Sequence, residues 1–245
     1  INSSNLNGSL FFKVLGLIRI FQGFIQSLVF VFVFKPSIVI SFGSYASFFP
    51  VISCIIIKSF YKLDLYVHEQ NSIFGRTNKI FLNLCTKIFL NFEIKSKISS
   101  KYKNKTFIVG SPEKKITKTD IIKNKNYEKE FTIFIYGGSQ GSVYIANFAE
   151  EIIKMINREN LINVKYILQC PDYMVKKISK NLNSIANNII IKEYYENIEE
   201  ILKNTSMVIS RAGSGSINDL INFKIPSILI PLPSSKDNHQ FYNAS

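Results

Sequence analysis

The sequence predicts an α/β protein built from two Rossmann-like lobes. Three observations carry this expectation. Short β-branched or aromatic runs alternate with longer segments of helical spacing. Glycine-containing turns recur where such runs end, and a polar stretch separates two halves that each read as strand, turn, helix. An apolar content of 47% fits a globular core and excludes a disordered chain.

The first segment, Leu10 to Phe34, is apolar but interrupted by Lys13, Arg19, Gln22 and Gln26. It falls short of the roughly 18 uninterrupted apolar residues of a spanning helix. No small-residue cleavage site follows it, so it is not a signal peptide. Within it, Leu10, Phe11, Val14, Leu17, Ile18, Phe21 and Phe24 recur at helical spacing beside Lys13 and Arg19. Spacing alone favours an ordinary helix packed on a sheet over one lying on a bilayer.

Strands are predicted at Ser37 to Ser41, Asp64 to Val67, Thr106 to Val109, Phe131 to Tyr136, Val164 to Leu168, Met207 to Ser210 and Ser227 to Ile230. Several are apolar throughout, the pattern of parallel strands covered on both faces, which argues against an antiparallel sandwich. The Lys-, Asn- and Glu-rich stretch between the halves reads as a surface connection. The predicted boundaries are an N-terminal lobe over 1–112, a linker over 113–130 and a C-terminal lobe over 131–245. The chain opens on Ile1, and a last helical pattern has barely begun at Asn243, Ala244 and Ser245, so both ends read as truncated.

The formal net charge of +13 favours anionic partners: phosphates, nucleic acid or an acidic membrane face. The Lys-rich stretches lack regular aromatic interleaving, which ranks nucleic acid last. Cys54, Cys85 and Cys170 lie far apart with no CxxC spacing. They read as buried free thiols in a reducing, cytosolic compartment.

The run Phe131 to Tyr136 ends in Gly137-Gly138-Ser139-Gln140-Gly141, and a helix is predicted from Ser142 with Ile145, Phe148, Ile152 and Ile153 on one face. Such a turn is either a tight turn with Ser139 as helix cap or an anion site formed by free helix N–H groups. The pattern returns at Ser210-Arg211-Ala212-Gly213-Ser214-Gly215-Ser216, before a helix that carries Asp219. A carboxylate there can accept both hydroxyls of a ribose. It can also merely complement the helix dipole, which is worth about 0.3–1 kcal/mol.

In the first half, His68-Glu69-Gln70-Asn71 places four consecutive polar side chains in one loop, an expensive arrangement unless something uses it. His68 and Glu69 are adjacent with no third ligand in view, so metal binding ranks below sugar or phosphate contact. Phe42-Gly43-Ser44-Tyr45 adds a fourth turn. All four are expected to converge on one cleft at the carboxyl ends of the strands.

The stretches FKPSIVISFGSYAS, HEQNSIFGRTNK, VGSP, YGGSQG, SRAGSGS and PLPSSKDNHQFYNA are specific in combination. In order and spacing the chain resembles the MurG family, glycosyltransferases of family 28 with the GT-B fold, over nearly its whole length. The resemblance implies inverting transfer of GlcNAc from UDP-GlcNAc to undecaprenyl-pyrophosphoryl-MurNAc-pentapeptide in peptidoglycan synthesis. No cofactor and no metal are implied.

By position, it implies donor contacts at Asn71, Lys114, Ser139, Ser214, Gly215, Ser216, Asp219, His239 and Gln240, with a backbone contact to uracil at Tyr195. It assigns Gly43, Ser44 and Tyr45 to the acceptor side. Asp219 stands where the family usually has Glu, Ser44 replaces a glycine, and Ser111 and Lys114 replace Asn and Arg. Lys lacks Arg's planar fork, so a weaker donor hold is expected. The family's first strand and its glycine-rich loop bearing a His precede anything present here. The catalytic base is therefore expected upstream, with His68 and Glu69 in support.

The resemblance also turns the reading of Leu10 to Phe34 toward a helix on an anionic membrane surface, with the protein peripheral on the cytoplasmic face of the inner membrane. Two alternatives stand beside this one: another lipid-directed GT-B glycosyltransferase, and a non-catalytic remnant of the fold.

Overall fold

A computed structural model describes residues 10–95, 98–112, 131–138, 142–159, 163–182, 185–186 and 188–245, with the side chains of 10–15 and 17 outside the description. The chain forms two compact units, Ile1–Ser111 and Pro112–Ser245.

The first unit runs α1 (Leu10–Phe34), β1 (Ile38–Ser41), α2 (Phe48–Ile57), β2 (Asp64–Glu69), α3 (Arg76–Phe81), β3 (Lys87–Leu90), α4 (Ser100–Lys103) and β4 (Thr106–Ile108). Its four strands are parallel and lie in chain order, β1-β2-β3-β4. Because parallel crossovers are right-handed, a sheet wound in one direction receives its connections on one face. The core lies on that face: Leu65, Val67, Ile88 and Leu90 pack with Val51, Cys54, Ile57 and Phe81.

The other face carries Ile38 and Ile40, then Tyr66, Phe89 and Phe107, whose rings follow one another at 5.3 and 6.4 Å. Ile38 is 54% exposed and Ile40 47%. Among the described residues the buried core of this unit lies on one face of the sheet, where the sequence pattern predicts cover on both. An apolar strand sequence is equally compatible with a sheet wound to one side, and only the strand order separates the two.

Helix α1 packs on α2. Among its described residues the buried ones are mostly small, Gly16, Gly23, Ser27 and Val31, and Ser27 Oγ donates to the Gly23 carbonyl at 2.7 Å. Small side chains let two helix backbones approach closely, so large ones turn outward. Ile18 and Phe21 are accordingly exposed, whereas Phe24 is half-buried beside Phe49, with ring centroids 5.9 Å apart. The single apolar face expected from Ile18, Phe21 and Phe24 is thus divided. The side chains of Leu10, Phe11, Val14 and Leu17 lie outside the described residues.

The second unit runs β5 (Phe131–Tyr136), α5 (Val143–Glu159), β6 (Val164–Gln169), α6 (Asp172–Leu182), β7 (Ile189–Lys192), α7 (Ile198–Lys203), β8 (Met207–Ser210), α8 (Ser214–Phe223), β9 (Ser227–Leu229) and α9 (His239–Ala244). The parallel order is β7-β6-β5-β8-β9. The period of two along β5 feeds two cores. Ile133 and Ile135 join Ile145, Ile153 and Ile178 of α5 and α6, while Phe134 and Tyr136 join Leu202, Leu220 and Phe223 of α7 and α8. Each such side chain stabilises the fold by about 1.5–3 kcal/mol.

Two strands escape the sequence pattern. β3 lies in a nearly continuous apolar run with α3, without Gly or Pro between them, and β7 is a short Ile-Ile-Ile-Lys run with no alternation. β2 also extends through Glu69, so His68 and Glu69 are strand residues and not loop residues.

Candidate functional site

In the second unit the chain winds from β5 outward to β6 and β7, then returns to place β8 on the other side of β5. The connections after β5 and β8 leave in opposite directions, and at such a switch point the carboxyl ends of the strands open a crevice. A cavity of about 530 Å³ lies there. Its walls include Gly137, Gly138 and Ser142 after β5, and Arg211 and Gly213 to Ser216 after β8.

The two turns are built differently. Gly138 has φ of +87°, a backbone conformation that side chains with a Cβ rarely adopt. Ser142 caps α5, its Oγ accepting from Ile145 N–H at 3.3 Å. The sequence expectation put Ser139 in that capping role; Ser139 lies outside the described residues, as does Lys114. Helix α8 starts after Gly213, and no side chain caps it. Ser214, Gly215 and Ser216 of its first turn line the cavity, and the N–H groups of an uncapped first turn suit an anion.

Asp219, on the same helix, also lines the cavity, as does Tyr136 at the end of β5. Burial pushes the Tyr136 phenol above its ordinary range; the Ser216 hydroxyl works against this and the Asp219 charge adds to it.

Arg211 is the residue that sequence reasoning missed. It is only 5% exposed, and it spans the site. Nη1 donates to the carbonyls of Ile230 at 3.2 Å and Pro231 at 3.1 Å, and Nη2 donates to Ser142 Oγ at 3.3 Å. The guanidinium lies 5.0 Å from the centre of the Tyr144 ring. Burial draws its pKa below the usual arginine value. The available signal was a lone charge between an apolar strand and a run of small residues.

The C-terminal site residues separate. Gln240 lines the cavity, and its Oε1 accepts from Leu232 N–H at 2.9 Å. His239 is not among the lining residues and turns Nδ1 toward the Lys236 carbonyl at 2.7 Å. Tyr195 is buried in the core: its hydroxyl donates to the carbonyls of Leu168 and Ile190 at 3.3 and 3.2 Å, and its ring meets Phe134 edge-on. That burial pushes its phenol up to about 12. Its neighbour Tyr194 lines the cavity.

In the first unit, the turn after β1 and the segment after β2 form one cluster. Glu69 is 3% exposed and accepts from Gly75 N–H and Asn78 Nδ2, both at 2.8 Å, and from Asn71 N–H at 3.1 Å and Nδ2 at 3.3 Å. His68 Nε2 donates to the Gly110 carbonyl at 2.8 Å. Much of the polar run is therefore satisfied by the loop itself.

Gly43 has φ of +75° and lies against Asn78. Ser44 and Tyr45 follow it at the surface, where the Ser44 carbonyl accepts from Ser47 Oγ at 2.7 Å.

Residues 1–90 match the glycosyltransferase family 28 N-terminal domain and residues 132–245 its C-terminal domain. The UDP-N-acetylglucosamine--N-acetylmuramyl-(pentapeptide) pyrophosphoryl-undecaprenol N-acetylglucosamine transferase of Rickettsia bellii is 34% identical over 220 residues, 87% of this chain and 60% of that protein. Its counterpart from Rickettsia canadensis is 34% identical over 215 residues, 86% and 59% of the two chains.

Among solved structures, Acinetobacter baumannii MurG aligns with a TM-score of 0.71 at 18% identity, over 94% of this chain and 62% of that one. The glycotransferase of kitacinnamycin aligns at 0.61 with 7% identity, over 99% and 70%. Two parallel α/β units with these neighbours define the GT-B fold class. Within that class the chain belongs to glycosyltransferase family 28. It spans about 60% of the length of the curated relatives it matches.

Proposed function

We propose that the protein to which this chain belongs moves GlcNAc from UDP-GlcNAc to undecaprenyl-pyrophosphoryl-MurNAc-pentapeptide, with inversion at the anomeric carbon. The observation that carries this reading is the switch-point cavity, whose size suits a nucleotide sugar and whose floor is the uncapped N-terminus of α8. The names of the curated relatives supply the donor and acceptor.

In this reading the acceptor hydroxyl attacks the anomeric carbon while UDP departs. The amides of Ser214, Gly215 and Ser216 receive the charge that develops on the diphosphate. The Asp219 carboxylate takes the ribose hydroxyls, and Gln240 lies toward the sugar. Ser139, Lys114, His239 and the Tyr195 backbone complete the donor set of the second unit, and Asn71 is assigned to the donor by its place in the sequence motif alone. Gly43, Ser44 and Tyr45 serve the acceptor.

Among the described residues no helix is long and apolar enough to cross a membrane. The exposed side chains Ile18, Phe21, Ile25, Val29 and Phe32 recur at helical spacing on α1 and form an apolar stripe suited to a lipid surface. We assign this stripe to peripheral contact with the anionic cytoplasmic face of the inner membrane.

Single-turnover transfer of labelled GlcNAc by the full-length protein tests the assignment. Product on the muramoyl-pentapeptide lipid supports it. Transfer only to another lipid makes the protein a different lipid-directed glycosyltransferase, and nucleotide binding without transfer makes it a non-catalytic member of the fold.

A further inference from the structure

We propose that Arg211 is the charge-neutralising residue of the nucleotide site, its buried guanidinium taking the diphosphate of a nucleoside-diphosphate ligand as counter-ion. The inference rests on the reading of the switch-point cavity as the donor site and adds a residue to it.

Arg211 is nearly sealed from water, and every acceptor it reaches is neutral: two carbonyls and one hydroxyl. Among the described residues no carboxylate pairs with it. Its Nε is buried without a hydrogen-bond partner among those residues. A buried cation is costly unless it is paired, and here the same side chain lines a cavity of about 530 Å³. The rest of that floor offers uncapped helix amides, which also call for negative charge. A diphosphate supplies the charge that both features lack.

The location adds a second consequence. Arg211 ties the cap of α5, the turn after β8 and the segment after β9 to one rigid group. Neutralising it with a ligand therefore stabilises the three segments that surround the ligand.

The test uses the full-length protein, its Arg211→Gln and Arg211→Lys variants, and uridine and UDP as probes, with affinities read by displacement of a fluorescent nucleotide. Arg211→Gln is expected to weaken UDP by about 10- to 100-fold, the range for loss of a charge-assisted contact, while uridine binding stays close to wild type. Arg211→Lys, which keeps the charge but not the fork, falls between the two. Equal loss of uridine and UDP in both variants, with unchanged circular dichroism, makes Arg211 a structural tie and overturns the proposal.

A panel of uridine, thymidine, adenosine and guanosine diphosphates separates this outcome from failure of the donor assignment. Preference for a base other than uracil refutes UDP-GlcNAc as donor, and the Arg211 comparison is then read on the preferred pair. No binding to any of the four refutes both.

Discussion

Asn78 holds Glu69 and crowds Gly43 with the same nitrogen: its Nδ2 donates to Glu69 Oε2 at 2.8 Å and stands where a Cβ on Gly43 would have to go. The turn after β1 and the segment after β2 are therefore locked through one side-chain amide.

Gly43→Ala meets two penalties, a φ of +75° and overlap with Asn78. We expect a loss of about 1–3 kcal/mol in denaturant unfolding, the range for a non-glycine residue held in a sparsely populated region. Adding Asn78→Ala removes the overlap, so the double variant should lose less than the sum of the two single losses by more than about 0.5 kcal/mol. Strict additivity would show that the two residues do not share that space.

Tyr194 and Tyr195 should respond in opposite ways. Tyr195→Phe removes the hydroxyl that bonds Leu168 and Ile190, costing about 1 kcal/mol of stability with nucleotide affinity unchanged. Tyr194→Ala, at the cavity wall, should weaken UDP binding with little change in unfolding midpoint. A loss of affinity in the Tyr195→Phe protein would contradict this division.

In the first unit, α1 offers a test of the membrane surface. Phe21→Ser together with Phe32→Ser should reduce flotation with anionic liposomes while leaving the thermal midpoint in place, because both side chains are exposed. Phe24→Ser should lower the midpoint as well, since Phe24 packs beside Phe49. Undiminished flotation of the Phe21/Phe32 double variant would remove the membrane role from this helix.

Burial raises Cys54 and Cys170 to about 11 and Tyr195 to about 12, from ordinary values of 9.0 and 10.0. The folded chain keeps these protons at pH values where the unfolded chain has released them. Their contribution to stability is therefore complete below pH 9.0 and disappears as pH climbs through about 11 to 12. Unfolding midpoints should fall over that window. Native protein at about pH 8 should leave its thiols unreacted with a disulfide reagent until denaturant is added, since the thiolate is the reactive form. Rapid reaction of Cys54 or Cys170 in the native protein would be the contrary result.

Asp219→Glu asks whether the shorter carboxylate limits donor affinity. Restoring the methylene is expected to tighten UDP-GlcNAc binding, measured by calorimetry, and equal affinities would dispose of that idea.

The amino-acid sequence by itself determined the α/β class, seven of the nine strands among the described residues, both glycine turns of the second unit and the motif set that marks the family. These features are written in local periodicity and in short runs of small residues, which need no partner to be recognised. β3 and β7 were hidden because an apolar run without punctuation fits helix and strand equally well.

Tertiary structure alone decided the rest. The strand order put the described core of the first sheet on one face and wound the second to both sides. The close packing of α1 through Gly16, Gly23 and Ser27 turned Phe21 outward. Arg211 entered the site because Ser142, Ile230 and Pro231 surround it only after β5, β8 and β9 are aligned. A charge's burial depends on residues distant in sequence, and no local pattern records it.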